Sequence, residues 1–289
     1  MKNYLIILSI LFASFFISSL VSENTIMIDG VYAIYYSCFI IYIMQWLGFF
    51  PSFYFKTEHY YDLIGSFSFI TTIFFSFIIT INDFNLEIDK RNIFFLLAIL
   101  FWTLRLGLFL FLRVKRDKKD VRFIHIKKSF STFFMVWHLQ GFWVFICCLP
   151  AIISMYSNRS VELGFFFYLG SFMWICGFLL ETIADHQKYV FKKNKLNKDK
   201  FISEGLWSIS RHPNYFGEII LWLGLYVVSF PVLTGLQHLA IISPLFVYIL
   251  LTRISGINLL EEIGDKRWGT NIDYKNYKKN TPILFPKLF

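Results

Sequence analysis

Long apolar runs constrain this chain more than any other feature. About 20 apolar residues in a helix match the thickness of a bilayer's hydrocarbon core, and a soluble domain has little use for several such runs. Eight are legible, at 4 to 20, 31 to 50, 63 to 82, 92 to 112, 133 to 156, 163 to 183, 215 to 233 and 236 to 252. Lipid offers the backbone no hydrogen-bond partners, so each is expected to be a helix. The expected fold is all-α, a polytopic membrane bundle of about eight transmembrane helices, or seven if residues 1 to 20 are cleaved as a signal peptide. A poor small-residue pattern near Ser19 to Ser22 favours a retained anchor. Composition agrees: 56% of residues are hydrophobic, 21% aromatic and 16% charged.

A net charge of +9 would by itself admit nucleic acid as a partner, but its distribution argues for a membrane surface. An even number of spans puts both termini on one side. Every Lys and Arg except Lys90, Arg91, Arg105 and Arg159 falls on that side, which holds the amino terminus, 51 to 62, 113 to 132, 184 to 214 and the tail from Arg253. The positive-inside rule makes it cytoplasmic. The expectation is a multi-pass protein with cytoplasmic termini, in the endoplasmic reticulum if the cell is eukaryotic, with membrane lipids and no nucleic acid as partners. Cys38, Cys147, Cys148 and Cys176 all fall within spans without metal-ligand spacing, so neither disulfides nor a metal site is expected.

Polarity gathers from Glu181 to Ile220. Glu181 and Asp185 are four residues apart and share a helix face, with Lys188 three further on. A lysine-rich loop follows, the chain turns at Gly205, and Pro213 suits the first turn of a new helix, where its missing N–H does no harm. Asn214 and Glu218 repeat the four-residue spacing inside the next apolar run. Ionisable groups sunk in apolar helices are costly and usually functional. A second titratable cluster, Lys56 to Asp62, precedes the third span. Arg105, in the middle of a span, should face the bundle interior. His138 reads as a hydrogen-bonded core histidine, and Gly164, Gly170 and Gly177 as sites of close helix packing. No G-x-G-x-x-G follows a strand, and neither a Walker pattern nor HExxH occurs.

The segment SRHPNYFGE, with GLW before it and LLEE and DYKNYKKNTPILFP after it, resembles the carboxy-terminal domain of the steroid 5-alpha-reductase-like integral membrane proteins. HYYDLIGSFSFI, LRLGLFLFLRVKRDKKDVRF (with Arg122) and ETIADHQK extend the likeness to an uncharacterised subgroup of that family, from about Tyr60 onward. Related segments occur in sterol C14 and C7 reductases, and a looser one in isoprenylcysteine carboxyl methyltransferases. The resemblance implies one integral membrane domain over 1 to 289, with residues 1 to 130 on the lipid-substrate side and 131 to 289 on the cofactor side. It implies reduction of a carbon–carbon double bond in a lipid or steroid-like enone by NADPH. Carried over residue by residue, it makes Asp185, Arg211, Asn214, Tyr215 and Glu218 cofactor contacts, backed by Glu181, Lys188, Tyr274 and Tyr277. Asp62, His59 and Tyr61 stand in for the catalytic acid. The looser likeness keeps a second expectation open, an S-adenosylmethionine-dependent lipid or prenyl-cysteine methyltransferase, and a lipid-binding protein without catalysis is a third.

Overall fold

A computed structural model describes residues 1–82, 89–117 and 123–287 of the chain, the side chains of 112–117 apart. Arg122 lies outside the described residues. Among these, seven helical segments are long and apolar enough to cross a membrane: Lys2–Val21, Ala33–Tyr54, Tyr61–Asn82, Lys90–Phe111, Phe130–Tyr156, Phe165–Lys193 and Gly235–Trp268. Apart from a two-residue strand pair, Met27–Ile28 with Val31–Tyr32, the architecture is helical, an all-α polytopic bundle as the apolar runs require.

Two of the expected spans take a different form. The run at 215 to 233 becomes a helix of 17 residues, Pro213–Ser229. At 1.5 Å per residue that is about 25 Å, short of a hydrocarbon core of about 30 Å. It stops there because Pro231 disfavours helical geometry at Phe230. The run at 236 to 252 is not one α-helix. It passes from a 3-10 helix, Gly235–Ile241, to an α-helix, Ile242–Ile249, then to a π-helical turn, Leu250–Ile254. Pro244 falls in the first turn of the α-helical piece, where its missing donor is harmless.

The chain divides into two compact units. The first, Met1–Phe167 with Val228–Ile241, contains α1 (Lys2–Val21), α2 (Ala33–Tyr54), α3 (Tyr61–Asn82), α4 (Lys90–Asp117), α5 (Phe123–Ile126) and α6 (Phe130–Tyr156). Its axis is α6, which packs on α1, α2 and α3 and buries every residue from Val144 to Tyr156. With lipid outside, hydrophobicity alone does not distinguish the inside, so the spans are matched by polar contacts. Gln45 Nε2 donates to Ser68 Oγ at 2.8 Å, and Tyr156 OH lies 2.7 Å from Ser37 Oγ while donating to Ser76 Oγ at 2.9 Å. His138 takes the expected core role: Trp46 Nε1 donates to its Nε2 at 3.1 Å and Nδ1 faces Phe134 O at 2.9 Å, which fixes a neutral ring. Arg105, on α4, is half-buried. Arg91 is wholly buried, its guanidinium held by Asp89 at 2.6 Å and by the carbonyl of Val161 at 3.3 Å.

The second unit, Tyr168–Val227 with Ile242–Phe289, takes most of α7 (Phe165–Lys193) and then α8 (Leu206–Ile209), most of α9 (Pro213–Ser229), α10 (Ile242–Ile249), α11 (Ile257–Trp268) and α12 (Ile272–Asn280). Helix α7 continues about ten residues past the apolar run, to Lys193. The first part of the expected lysine-rich loop is therefore helical, with Lys192 and Lys193 in the last turn, where cations suit the helix dipole.

Candidate functional site

In the second unit α7 and α9 meet backbone to backbone along glycines seven residues apart on each helix. A Cβ on Gly177 would stand 2.6 Å from Gly217 O, and one on Gly224 would stand 2.7 Å from Gly170 O. The pairing of 170 with 224 and of 177 with 217 makes the helices antiparallel and fixes their register. One and two turns beyond Gly177 come Glu181 and Asp185, and just before Gly217 comes Asn214. Asn214 Nδ2 donates to Asp185 Oδ1 at 3.1 Å. Small residues at spacings readable from sequence thus bring two of the expected site residues together. Gly164 takes no part, since a Cβ there would meet nothing within 4 Å.

The connection between the two helices is tightly held. Gly205 caps α8 with φ 59° and ψ −132°, a region that excludes side-chain-bearing residues. Beyond it Trp207 is buried, its Nε1 donating to Ala184 O at 3.0 Å, and Lys188 Nζ stands 4.5 Å over the indole. The chain's tail then clamps this segment. Tyr277 OH donates to Trp207 O at 2.6 Å, Ser210 Oγ to Leu284 O at 2.8 Å, Arg211 N to Pro282 O at 2.9 Å and Lys287 N to Ile209 O at 2.9 Å. The TPILFP sequence therefore works as a strap across the entrance to α9.

A single carboxylate, Glu261 on α11, completes the arrangement. Its Oε2 accepts from Arg211 Nη1 at 2.6 Å and lies 3.1 Å from Lys278 Nζ, and its Oε1 lies 3.0 Å from His212 Nε2. A carboxylate only accepts, so Nε2 carries the imidazole proton and Nδ1 keeps its lone pair. Among the described residues Nδ1 is buried without a hydrogen-bond partner, as are Arg211 Nε and Asn214 Oδ1. Burial lowers the His212 pKa below its usual value, with the charges of Lys188 and Arg211 acting the same way, and together they outweigh Glu261. For Lys278 burial lowers the pKa but is outweighed by the hydrogen bonds it donates to Asp265 and Glu261, and the ammonium is held above its usual range. Burial raises the phenols of Tyr274 and Tyr277. An open cleft of about 690 Å³ lies along Arg211, Asn258, Glu261, Asp265 and Lys278.

The His212 shift has a sign that can be checked. The folded state resists protonation, so the stabilisation is complete above about pH 6.5, the unfolded value, and is lost as pH falls towards the lower folded pKa. The melting temperature of detergent-purified protein should therefore drop as pH falls below about 6.5. His212→Gln, which retains a donor but does not titrate, should flatten that part of the curve. An identical slope in the variant would remove His212 from the explanation.

Of the expected cofactor contacts, Asp185 and Asn214 are joined directly, Glu181 is buried on the same face of α7, and Lys188 lies two turns beyond Glu181 over Trp207. Arg211 is tied to Glu261, and Tyr215 stacks on His212 with centroids 5.6 Å apart at 14°. Glu218 is half-buried on α9. Tyr274 is buried against Phe201 at 5.1 Å and Trp268 at 5.8 Å, and Tyr277 holds the strap. The catalytic stand-ins belong to the first unit. His59 is exposed, Asp62 stands in the first turn of α3, and Tyr61 donates to Val136 O at 3.1 Å while packing edge-on against Trp137 at 5.2 Å. Their neighbour Glu58, in the same polar cluster, is 3% exposed and ion-paired with Lys127. His212 and Glu261 are the main residues the motif reading did not assign. His212 stood inside the motif, while Glu261 carried only the LLEE signal.

A family model described as "Protein of unknown function (DUF1295)" matches residues 48–281. Among curated proteins, a probable O-methyltransferase, ustE, of Ustilaginoidea virens is 29% identical over 94 residues, or 32% of this chain and 33% of that one. An uncharacterized protein of Schizosaccharomyces pombe is 23% identical over 137 residues, or 39% of this chain and 40% of its own. The chain thus spans between a third and two fifths of the length of these curated relatives. No solved structure matches it.

Proposed function

The chain belongs to the DUF1295 family, and from that premise we propose that it is a membrane-embedded, NADPH-dependent reductase of a conjugated carbon–carbon double bond in an apolar lipid. The observation that carries the reading is Asn214. Its amide is oriented by Asp185, and among the described residues its Oδ1 is a buried acceptor with no hydrogen-bond partner. A nicotinamide carboxamide offers the N–H such an acceptor requires. The likeness of SRHPNYFGE to steroid 5-alpha-reductase-like proteins points the same way.

The residues present fit the group. Asn214 would take the carboxamide. Lys188, over Trp207, and the part of Arg211 that Glu261 leaves available would face the phosphates. When bound, NADPH supplies a hydride for the electron-poor carbon of an enone. This chain's own contribution is orientation: Asp185 holds Asn214, Glu261 holds Arg211 and His212, and the strap holds the segment between them. On this reading the lysine-rich side faces the cytosol, where the cofactor is found.

One observation favours a second reading. The relative named as a probable O-methyltransferase makes S-adenosylmethionine the rival ligand for the same pocket. Equilibrium binding of both compounds to detergent-purified protein separates the two. Saturable NADPH binding, reduced at least tenfold by Asn214→Ala on the ~1.4 kcal/mol worth of one buried hydrogen bond, is the expected result. Saturable S-adenosylmethionine binding without NADPH binding would transfer the site to the methyltransferase, and binding of neither would leave a lipid-binding protein.

A further inference from the structure

The first unit holds a small cavity of about 50 Å³ among α3, α4 and α6. Phe69 and Trp102 form part of its apolar wall, and Asp62, Ser66, Thr103, Gln140 and Trp143 its polar wall, the Ser66 hydroxyl already donating to Asp62 O at 3.0 Å. One bond orients the Gln140 amide: Nε2 donates to Tyr61 O at 3.2 Å, leaving Oε1 as a pure acceptor. Among the described residues Gln140 Oε1, Thr103 Oγ1 and Trp143 Nε1 are all buried without a hydrogen-bond partner. Gln140 is 6% exposed and Thr103 1%. A buried polar group left unmatched costs about 1–3 kcal/mol, so three around one cavity within a membrane bundle require an account.

The chemistry of the three atoms restricts the occupant. Trp143 Nε1 can only donate, Gln140 Oε1 can only accept, and the Thr103 hydroxyl can do either. A ketone or ester oxygen would serve Trp143 and Thr103 but leave Gln140 unmatched. A hydrocarbon would serve none. A phosphate would bring its negative charge beside Asp62. A hydroxyl both donates and accepts, and the aromatic wall suits a hydrocarbon attached to it. We infer that this cavity binds the hydroxyl end of an apolar lipid alcohol, which donates to Gln140 Oε1 and accepts from Trp143 Nε1, while Thr103 takes the remaining lone pair. The cavity is small, so it takes the hydroxyl end and the rest of the lipid lies outside. The inference is independent of the reductase reading, since it needs neither cofactor nor turnover.

Water is the rival occupant, because a cavity of this size holds one or two molecules. The test is equilibrium binding of radiolabelled 1-hexadecanol to detergent-purified protein, competed by unlabelled 1-hexadecanol, its methyl ether and 2-hexadecanone, each corrected for micelle partitioning. Saturable binding is expected, with ether and ketone competing at least about tenfold more weakly than the alcohol, as a site with an unmatched buried acceptor discriminates. Gln140→Met and Thr103→Val, close in size to the originals, should reduce the preference for alcohol over ether to within about threefold, and Thr103→Ser should keep it. Equal competition by all three compounds, or no saturable binding, would mean that the cavity holds only water. An undiminished preference in Gln140→Met would likewise overturn the assignment. If a variant fails to fold, the wild-type competition series still decides the question.

Discussion

Glu261→Ala should destabilise the second unit by about 2–4 kcal/mol, lowering the melting temperature by roughly 5–10 °C, whereas Glu262→Ala, one residue on, should change it by less than about 0.5 kcal/mol. The two glutamates are adjacent in sequence and belong to different environments. Glu261 is 18% exposed and meets three cationic or proton-bearing partners, Arg211, His212 and Lys278, whose side chains are 12%, 6% and 28% exposed. Those partners come from the entrance to α9 and from α12, so one carboxylate ties three parts of the unit together. Removing it strands the Arg211 guanidinium, whereas Lys278 keeps Asp265 at 2.6 Å, and an uncompensated charge on a largely buried side chain is what makes a broken ion pair expensive. Glu262 is 61% exposed and pairs along its own helix with Lys266, which is 74% exposed, so water replaces that contact easily. Combining Glu261→Ala with Arg211→Ala should recover part of the loss, because the second change removes one stranded charge. Equal melting temperatures for the two single variants would show that the Glu261 hub contributes nothing to stability.

The contrast between these glutamates shows what a sequence carries and what it withholds. Apolar run length identified the membrane helices because the bilayer imposes a length that hydrophobicity records directly. Pro213 marked the start of α9, and Gly170 and Gly177 marked a close contact, because each is a residue with a local steric meaning. The four-residue spacing of Glu181 and Asp185 correctly put them on one face of α7. Other features depend on partners distant in the chain. The strap joins Ser208–Arg211 to residues 281–287 mainly through backbone groups, which every residue possesses, so no side-chain pattern announced it. Glu261 and Glu262 read alike until α12 and the entrance to α9 are placed beside one of them. Glu58 lies in the same polar cluster as Asp62, and its ion pair with Lys127, on a different segment, has no mark in the local sequence. The continuation of α7 to Lys193 went unseen for a related reason: hydropathy records where lipid ends and says nothing about where a helix ends.

The geometry of the candidate site was half legible. Asp185 and Asn214 were expected as neighbours of one ligand and prove to be neighbours of each other, with one oxygen of Asn214 still requiring a donor. Arg211 was expected as a cofactor contact, and the structure adds a constraint, since its Nη1 is held by Glu261. Whatever anion meets Arg211 therefore meets a guanidinium already partly neutralised. That places more of the burden of charge on Lys188, and it predicts weaker salt dependence of ligand binding than the lysine-rich segment alone would give.

Gly177→Leu should be the most damaging single substitution in α7, costing about 3 kcal/mol or more and abolishing ligand binding with it. The reason lies in what surrounds the missing side chain. Most overpacked sites are relieved when a flexible neighbour moves, but a Cβ at Gly177 meets Gly217 O and Leu221 N, both at 2.6 Å, and these are backbone atoms of α9. Only separation of the two helices relieves the clash. That same separation would draw Asp185 away from Asn214, whose 3.1 Å bond depends on the glycine register. Stability and site geometry should therefore fail together. Gly164→Leu, at a position with nothing within 4 Å, supplies the control and should leave both intact. Thermal melting together with a disulfide cross-link engineered between α7 and α9 would read the two effects separately. A Gly177→Leu protein that melts within a degree of wild type and still forms the cross-link would show that the contact takes a leucine without the helices parting, and the register argument for the site would fall with it.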